Sequence, residues 1–233
     1  MRLALFSDVH ANLQALETVL SHIDREGADA LVCLGDIVGY NADAKPCLDL
    51  IRERCQIVIQ GNHDLAIGTG DFVEHLPRDG QAAAQLHRAA LPETDLSYLR
   101  TLPLRVDDHG CTFVHASPER PGDWLRLQSF WQVKKQFEHF DTTICFLAHS
   151  HLPGVVSDKI GVFSVKPGPR YLVNVGSVGQ PRDQDTRACV AFFDTETFAY
   201  RLDRIGYDVD GAVRRIEEVG LPSRLGERLL KGV

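Results

Sequence analysis

The chain has 233 residues, 44% of them hydrophobic and 24% charged, a composition that fits one globular domain, 1–233, with a substantial core. Its formal net charge of −7 at pH 7 excludes a broadly basic surface for nucleic acids, although bound cations would still allow one phosphate-bearing substrate. No apolar stretch approaches the roughly 20 residues of a membrane span, and the apolar run at the start is too short for a signal peptide, so no membrane partner is expected.

The six cysteines include no Cys-x-x-Cys pair. Most of them lie in apolar strand-like or helical segments, which is typical of free, buried or half-buried thiols in a reducing compartment. Together with the missing signal peptide, this pattern predicts a cytoplasmic protein.

The first part of the chain alternates strand and helix patterns. The continuous apolar runs Leu3–Phe6, Ala30–Leu34 and Ile57–Gln60 predict strands that are covered on both faces. An apolar stripe with helical spacing begins at the N-cap candidate Asn12, and a second helix is predicted from about Pro46 to Arg54. This order predicts a largely parallel sheet.

Two stretches interrupt this order. Residues 65–108 are predicted to be a helical excursion, with one helix at Gln81–Ala90 and another beginning at Asp95. Residues 117–140 follow His115 directly, which makes them a candidate lid. Packing of their aromatic side chains into the core is an alternative of at least equal weight. These aromatic residues are Trp124, Phe130, Trp131 and Phe137.

Further strands follow in the second half. The last two are predicted to be antiparallel, with a hairpin connection at Asp194–Thr197, and a helix follows at Asp208–Val219. The strands predicted here are Cys111–Val114, Thr143–Leu147, Tyr171–Val175, Ala188–Phe193 and Phe198–Ile205.

Side chains of metal-ligand character follow five successive strands. In open α/β sheets, ligands bind beyond the carboxyl ends of the strands, so these side chains are candidates for one common site. In the His149-Ser150-His151 pair, alternate residues of an extended segment point the same way. In chain order the candidates are Asp8 and His10, then Asp36, then Asn62, His63 and Asp64, then His115, and finally His149 and His151.

Each motif alone has an ordinary structural interpretation. A carboxylate such as Asp36 can cap a helix, Asn62 and His63 can form a turn, and a lone His115 can simply be hydrogen-bonded. Taken together, two Asp, one Asn and four His without His63 make more donors than the about four that one Zn²⁺ takes. The set therefore predicts two cations roughly 4 Å apart that share a carboxylate. Its mixed nitrogen and oxygen donors favour Mn, Fe, Zn, Co or Ni over Mg or Ca alone.

The ordered motifs DxH, GD, GNHD, H and HxH resemble those of the calcineurin-like metallophosphoesterases. Detail in Leu34–Asn41, Val114–Pro118 and Asn174–Asp183 is similar to the compact bacterial and archaeal phosphodiesterase-like branch, and the resemblance extends from Arg2 to about Leu229. It implies a four-layer α/β/β/α sandwich of mixed sheets, with a dimetal site at the carboxyl ends of the strands.

The resemblance also implies roles for the site residues. His63 would not bind metal but would stabilise the phosphoryl oxygens and protonate the leaving group, and Asp64 could orient its imidazole. Asp36 would bridge the two ions. The other implied ligands are Asp8, His10 and His151 for one ion, and Asn62, His115 and His149 for the other.

The implied function is a dimetal phosphoester hydrolase in which a hydroxide bridging the metals attacks phosphorus in line. A phosphodiesterase acting on a small or nucleotide-like phosphate ester is the first choice, and a nucleotide or protein phosphomonoesterase is the alternative. A non-catalytic scaffold on the same fold is a third hypothesis. The presence of every ligand and of His63 argues against that hypothesis.

A few positions stay open at this point. Ala148 and Val175 stand where the family usually has Gly and Pro. Arg182 is a candidate for contacting a substrate phosphate, but pairing with Asp183 or Asp185 is slightly favoured. Asn12 could cap the first helix, touch phosphate, or do both. The remaining histidines, expected at the surface, are His22, His75, His87, His109 and His139.

Overall fold

The computed structural model describes Met1–Val233 as two five-stranded mixed sheets stacked face to face. The first sheet has the order β10-β9-β1-β2-β3. Its strands are β1 (Arg2–Phe6), β2 (Ala30–Cys33), β3 (Ile57–Val58), β9 (Ala188–Asp194) and β10 (Tyr200–Ile205). The second sheet has the order β4-β5-β6-β8-β7. Its strands are β4 (Arg105–Asp108), β5 (Cys111–Val114), β6 (Ile144–Leu147), β7 (Gly154–Ser157) and β8 (Tyr171–Asn174).

Each sheet contains three neighbouring parallel strands together with antiparallel pairings at its edges. In the first sheet β1, β2 and β3 are parallel, β9 is antiparallel to β1, and β10 is antiparallel to β9 and so runs in the same direction as β1. In the second sheet β5, β6 and β8 are parallel, with β4 and β7 antiparallel at the edges. The parallel arrangement expected for the first part of the chain is therefore present in β1, β2 and β3 of the first sheet.

Eight helices complete the fold. Three short 3₁₀ turns accompany them, at Val73–His75, Pro121–Asp123 and Gln136–Glu138. The helices are α1 (Leu13–Glu26), α2 (Ala44–Arg54), α3 (Asn62–Thr69), α4 (Arg78–Ala90), α5 (Glu93–Thr101), α6 (Phe130–Lys135), α7 (Val209–Glu218) and α8 (Ser223–Lys231). No helix is both long and apolar enough to cross a membrane.

Buried side chains define four layers. Residues of both sheets, including Leu5, Val32 and Phe146, form the core between them. The helices α1 to α5 cover the outer face of the first sheet. The short α6 and the turn after it cover the outer face of the second sheet, where Phe137 packs beside Leu147. The predicted α/β/β/α sandwich is confirmed.

Helix α1 illustrates how the sequence dictates these elements. The Oδ1 atom of Asn12 accepts a hydrogen bond from the backbone N–H of Ala15 at 3.1 Å, which caps the helix. Its apolar stripe, with Leu16, Leu20 and Ile23, is buried against the first sheet. Each such side chain contributes about 1.5–3 kcal/mol of stability relative to an exposed one. The capping role considered for Asn12 is therefore present.

The structure also contains elements that the sequence patterns did not indicate. Strand β4 lies within the stretch predicted to be helical, 65–108, and β7 was not predicted at all. Both are edge strands of four residues with exposed side chains, so they lack a buried apolar run. Helix α8 was missed because it is short, although Leu225 and Leu229 bury one face. Helix α2 begins at Ala44, two residues before the predicted start.

Candidate metal centre

The segments after β1, β2, β5 and β6 converge at one edge of the sandwich. The backbone N–H of His10 donates to the carbonyl of Asp36 at 2.9 Å, and that of Ala148 donates to the carbonyl of His115 at 2.9 Å. The N–H of His149 donates to Asp8 Oδ2 at 3.2 Å and so joins the two sheets.

Left-handed backbone at non-glycine residues is concentrated at this edge, as is typical of functional sites. The candidate ligands with positive φ are Asp8, His10, Asp36, His149 and His151.

The candidate ligand atoms fall into three overlapping groups of buried residues. Within each group, one donor atom per residue lies within 4.8 Å of the others. Asn62 lines the same cavity, beside Asp36 and His149. The groups are Asp8, His10 and His151; His10, Asp36 and His63; and Asp36, His115 and His149.

Hydrogen bonds to backbone carbonyls set the tautomers of three imidazoles. A carbonyl only accepts, so each Nδ1 carries a proton and Nε2 is the ring atom left to bind a cation. The Nε2 atoms of His10 and His151 then face each other at 3.2 Å, and Nε2 of His115 lies 3.2 Å from Nδ1 of His149. Two ligands at about 2.1 Å from one cation stand roughly 3 Å apart. The Nδ1 partners are Val38 for His10 (3.1 Å), Leu34 for His115 (2.7 Å) and Gln180 for His151 (2.5 Å).

Two buried oxygens of the candidate ligands have no hydrogen-bond partner. They are Oδ1 of Asp8 and Oδ1 of Asn62. A buried acceptor without a partner costs free energy, and a cation removes that cost by binding to it. The paired imidazole lone pairs and these oxygens therefore fit divalent cations.

Burial and neighbouring charges shift the pKa values of Asp8, Asp36 and His115 in different directions. Burial raises the pKa of Asp8 to about 7, against the attraction of His115. Burial would also raise the pKa of Asp36, but His115 and His63 hold it well below its usual value. Burial would lower the pKa of His115, yet Asp36 raises it to about 9. A divalent cation must therefore displace protons at neutral pH, so its affinity should increase with pH.

Comparison with known proteins identifies the family. A family model described as the calcineurin-like phosphoesterase superfamily domain matches residues 1–197. The chain belongs to this superfamily. The resemblance drawn from the ordered motifs is thereby confirmed.

Individual relatives of this calcineurin-like phosphoesterase span its full length. The uncharacterized protein MJ0912 of Methanocaldococcus jannaschii is 34% identical over 240 residues, which cover 99% of this chain and 98% of that protein. A metallophosphoesterase from Sphaerobacter thermophilus is 34% identical with a TM-score of 0.88, covering 100% of this chain and 99% of that one. The hypothetical protein PH1004 from Pyrococcus horikoshii OT3 shares the fold, with a TM-score of 0.83 at 22% identity and coverage of 100% and 98%.

His63 lies in the first turn of α3 and faces the cavity. Its backbone N–H donates to Asp36 Oδ1 at 2.8 Å, and its ring centroid is 4.9 Å from that of His10 and 4.6 Å from that of Tyr40. Its Nδ1 atom is buried and has no partner. Burial lowers the pKa of His63 to about 4, although Asp36 opposes the shift. A bound phosphate anion would raise that pKa and favour the protonated ring.

Asp64 does not orient His63, so that interpretation was wrong. Its Oδ1 accepts hydrogen bonds from the backbone N–H groups of Ile37 (2.9 Å) and Val38 (3.3 Å), and its Oδ2 accepts one from Gly61 (3.0 Å). The sequence predicted a turn here, but α3 begins at Asn62, and successive side chains on a helix point in different directions. Asp64 therefore holds the loop that carries Asp36.

Asn12 does not reach the cavity. Its side-chain amide donates to the carbonyl of Gly179 at 3.0 Å and to the hydroxyl of Tyr207 at 3.2 Å, while its oxygen caps α1. The side chain is buried, and both its nitrogen and its oxygen already have hydrogen-bond partners. The substrate-binding role considered for Asn12 was therefore wrong.

Arg182 lines the cavity, and the carboxylate pairings considered for it do not occur. Asp183 pairs with Arg204, and Asp185 pairs with Arg187. The side chain of Arg182 donates only to Gln180 Oε1, at 3.0 Å. Its guanidinium therefore remains available to an anion.

The cavity above the ligands has a volume of about 500 Å³. Segment 117–140 contributes Gly122 to Trp124 and Arg126 to its wall. Of the aromatic residues in this segment, Phe137 packs against the core, as the alternative to a lid predicted. Phe130 and Trp131 are exposed. The apolar side chains of the wall are Leu65, Phe72, Leu76, Pro77 and Trp124, together with the ring of Tyr40.

His87 was expected at the surface, but it is buried next to the site. Its Nδ1 accepts from the N–H of Gly39 at 3.1 Å, and its Nε2–H donates to the carbonyl of Asn41 at 2.7 Å. It thus fixes the loop that presents Tyr40 to His63. The helical spacing with the buried Ala83 and Ala84 was the signal that could have revealed this.

Proposed function

We propose that this protein is a dimetal phosphoester hydrolase that cleaves diesters of small or nucleotide-like molecules. The position of Asp36 carries the proposal. Its Oδ2 lies 3.6 Å from Nε2 of His10 and 3.4 Å from Nε2 of His115. Asp36 therefore lies between two histidine pairs, which are His10 with His151 and His115 with His149. A carboxylate in that position suits a ligand shared by two cations.

The other ligands follow from the grouping of the side chains. Each ion would take two imidazoles and one oxygen donor besides Asp36, a set suited to Mn, Fe, Zn, Co or Ni. One ion would be held by Asp8, His10 and His151, and the other by Asn62, His115 and His149.

Two bound divalent cations would activate water and neutralise charge on the phosphoryl oxygens. The protein side chains supply the remaining chemistry. His63 would donate a proton to the leaving-group oxygen, a contribution of about 10²–10⁴-fold. Arg182 would hold a phosphate oxygen of the substrate, because its guanidinium lines the cavity without a carboxylate partner.

The shape of the cavity supports a small substrate. Its volume of about 500 Å³ fits a nucleotide-sized molecule, and apolar side chains such as Leu65 and Trp124 offer contact to an organic group. A diester presents two organic groups. The acidic chain and a cavity of this size favour a small molecule over a protein or nucleic-acid substrate.

The test uses metal-free protein reconstituted with each candidate ion. We expect hydrolysis of bis-p-nitrophenyl phosphate with a higher kcat/KM than that of p-nitrophenyl phosphate, and restoration by Mn²⁺ after chelation. A preference for the monoester would replace the proposal with a phosphomonoesterase. Failure to hydrolyse either ester, with no metal bound, would overturn the enzyme assignment.

A further inference from the structure

We propose that the substrate carries at least one further phosphate group, which binds in a basic groove beside the metal centre. This inference rests on the hydrolase function proposed above. The cationic groove has a volume of about 630 Å³ and shares Tyr40, Pro77, Arg126 and Arg182 with the cavity over the ligands. A single molecule could therefore occupy both.

The cationic groove concentrates positive charge in a protein of net charge −7. Six of the residues that line the groove are basic, and only two, Asp79 and Glu227, are acidic. Most of the basic ones come from the beginning of α4 and from α8. They are Arg78, Arg126, Arg182, Arg224, Arg228 and Lys231.

Most of these charges lack a carboxylate partner. Arg224 is 3.8 Å from Asp79, and Lys231 is 3.6 Å from Glu227, which are loose contacts. None of the other four pairs with an Asp or Glu side chain, although the Nε–H of Arg228 donates to the carbonyl oxygen of Val233 at 2.8 Å. Arginines elsewhere, such as Arg215, are mostly paired with carboxylate side chains. Unpaired cations facing one groove attract an anionic ligand.

Arg182 and Arg228 both lie beside Tyr40, which lines the groove and the cavity over the ligands. Their guanidinium carbons lie 5.7 Å and 5.6 Å from the centroid of the Tyr40 ring. The Nε–H of Arg182 is buried without a partner, and burial together with Arg182 lowers the pKa of Arg228. A phosphate placed between them would satisfy that donor and relieve the repulsion, since guanidinium groups bind phosphate oxygens in pairs.

The direction of the groove defines the substrate class. The reacting phosphorus would lie over the metal ligands, and a linked phosphate would reach Arg182 and continue towards Arg224 and Lys231 on α8. A phosphate chain attached to the reacting ester has that linear form. We therefore infer a nucleoside-polyphosphate type of ester rather than a simple diester.

A matched pair of chromogenic substrates tests this. The p-nitrophenyl ester of thymidine 5′-monophosphate and the terminal p-nitrophenyl ester of thymidine 5′-triphosphate share the nucleoside, the leaving group and a reacting phosphorus with two substituents. For the metal-loaded wild-type protein, we expect kcat/KM to be about tenfold or more higher for the triphosphate ester. That ratio should decrease as salt is added.

The double variant Arg224→Gln/Lys231→Gln isolates the groove. Both side chains are exposed and neither touches the metal ligands, so the fold should be kept, which thermal unfolding checks. We expect the ratio to fall by about fivefold or more and its salt dependence to flatten. The control Arg25→Gln/Lys159→Gln removes the same charge from exposed positions outside the groove and should keep the wild-type ratio.

The outcomes separate this inference from the function on which it rests. Equal kcat/KM values for the two esters, or an unchanged ratio in the groove variant, would overturn the inference and leave the hydrolase intact. Tighter competition by a single-stranded oligothymidylate than by thymidine triphosphate would overturn it in favour of a nucleic-acid substrate. Failure to hydrolyse these esters or bis-p-nitrophenyl phosphate would instead overturn the proposed function.

Discussion

The side chain of Asp64 accepts a hydrogen bond from the backbone N–H of Ile37 at 2.9 Å, across 27 positions of the chain. This contact ties the first turn of α3 to the loop after β2. That loop carries Asp36, the carboxylate between the two histidine pairs. The proposed shared ligand is therefore positioned by a residue that lines no part of the cavity.

Replacing this carboxylate should loosen the metal centre. In Asp64→Asn an N–H₂ group faces a backbone N–H donor, so at least one buried hydrogen bond is lost. We expect the free energy of unfolding of the metal-free protein to fall by about 1–3 kcal/mol and the metal affinity by about 10–100-fold. Urea unfolding and metal titration measure these changes, with Asp49→Asn on the surface of α2 as the control. Wild-type metal affinity combined with a low kcat would instead restore the role of orienting His63.

His63 should affect turnover and not metal content. We expect His63→Ala to lower kcat by about 10²–10⁴-fold, because the leaving group loses its proton donor. Metal content, measured by mass spectrometry of the loaded protein, should stay at the wild-type value. His22→Ala, outside the cavity, serves as the control. Since His63 also groups with His10 and Asp36, loss of an ion from the variant would identify it as a ligand.

Asp36 should be needed for both ions. Its carboxylate lies between the two histidine pairs, so Asp36→Ala removes a shared donor and should reduce roughly two ions per chain to nearly none. Asp141→Ala, which removes an exposed carboxylate, should bind metal normally. Thermal unfolding of the metal-free proteins checks that the fold is kept. Retention of two tightly bound ions by Asp36→Ala would refute the bridging assignment.

The sequence predicted the buried parallel strands, and it indicated the candidate ligands that the fold brings together, because both signals are local. Strands such as β1 and β6 are continuous apolar runs, and the candidate ligands follow them within a few residues. The exposed edge strands β4 and β7 carry no such run, so only their pairing with β5 and β8 reveals them.

The parts that sequence reasoning missed depend on contacts between distant segments. His87 is defined by its hydrogen bonds to Gly39 and Asn41, more than 40 positions away. Arg182 and Arg228 are far apart in the sequence, and the fold brings both beside the ring of Tyr40. Residue type and spacing along the chain do not encode such contacts, so buried positioning residues and the cationic groove emerged only from the folded arrangement.

Burial of His87 should make stability depend on pH. Burial lowers the pKa of its imidazole to about 4, below the value of about 6.5 expected in the unfolded chain. Its contribution is therefore complete above pH 6.5 and is lost as the pH falls towards 4, because the unfolded state binds the proton first. Relative to His87→Gln, the metal-free wild type should lose up to about 3 kcal/mol of unfolding free energy over this range. Urea unfolding at several pH values measures the difference, and parallel profiles would contradict the prediction.

Gly179 should be irreplaceable because it packs against the segment that carries Asp8. Its N–H donates to the carbonyl of Asp8 at 2.8 Å, and a Cβ added there would lie within 1.8 Å of the carbonyl oxygen of Val9. Since backbone cannot move aside cheaply, Gly179→Ala must displace Asp8 and Val9, and we expect a loss of about 3 kcal/mol or more in unfolding free energy. Metal affinity should fall with it, because the displaced residue is a proposed ligand.

Gly206→Ala is the matched control for that variant. A Cβ at Gly206 meets nothing within 4 Å, and its φ is not in the left-handed region, so stability should change by less than about 1 kcal/mol. Urea unfolding of both metal-free variants, followed by titration with Mn²⁺, compares them directly. If Gly179→Ala were as stable as Gly206→Ala and bound Mn²⁺ equally well, the loop containing Gly179 would have no part in positioning Asp8.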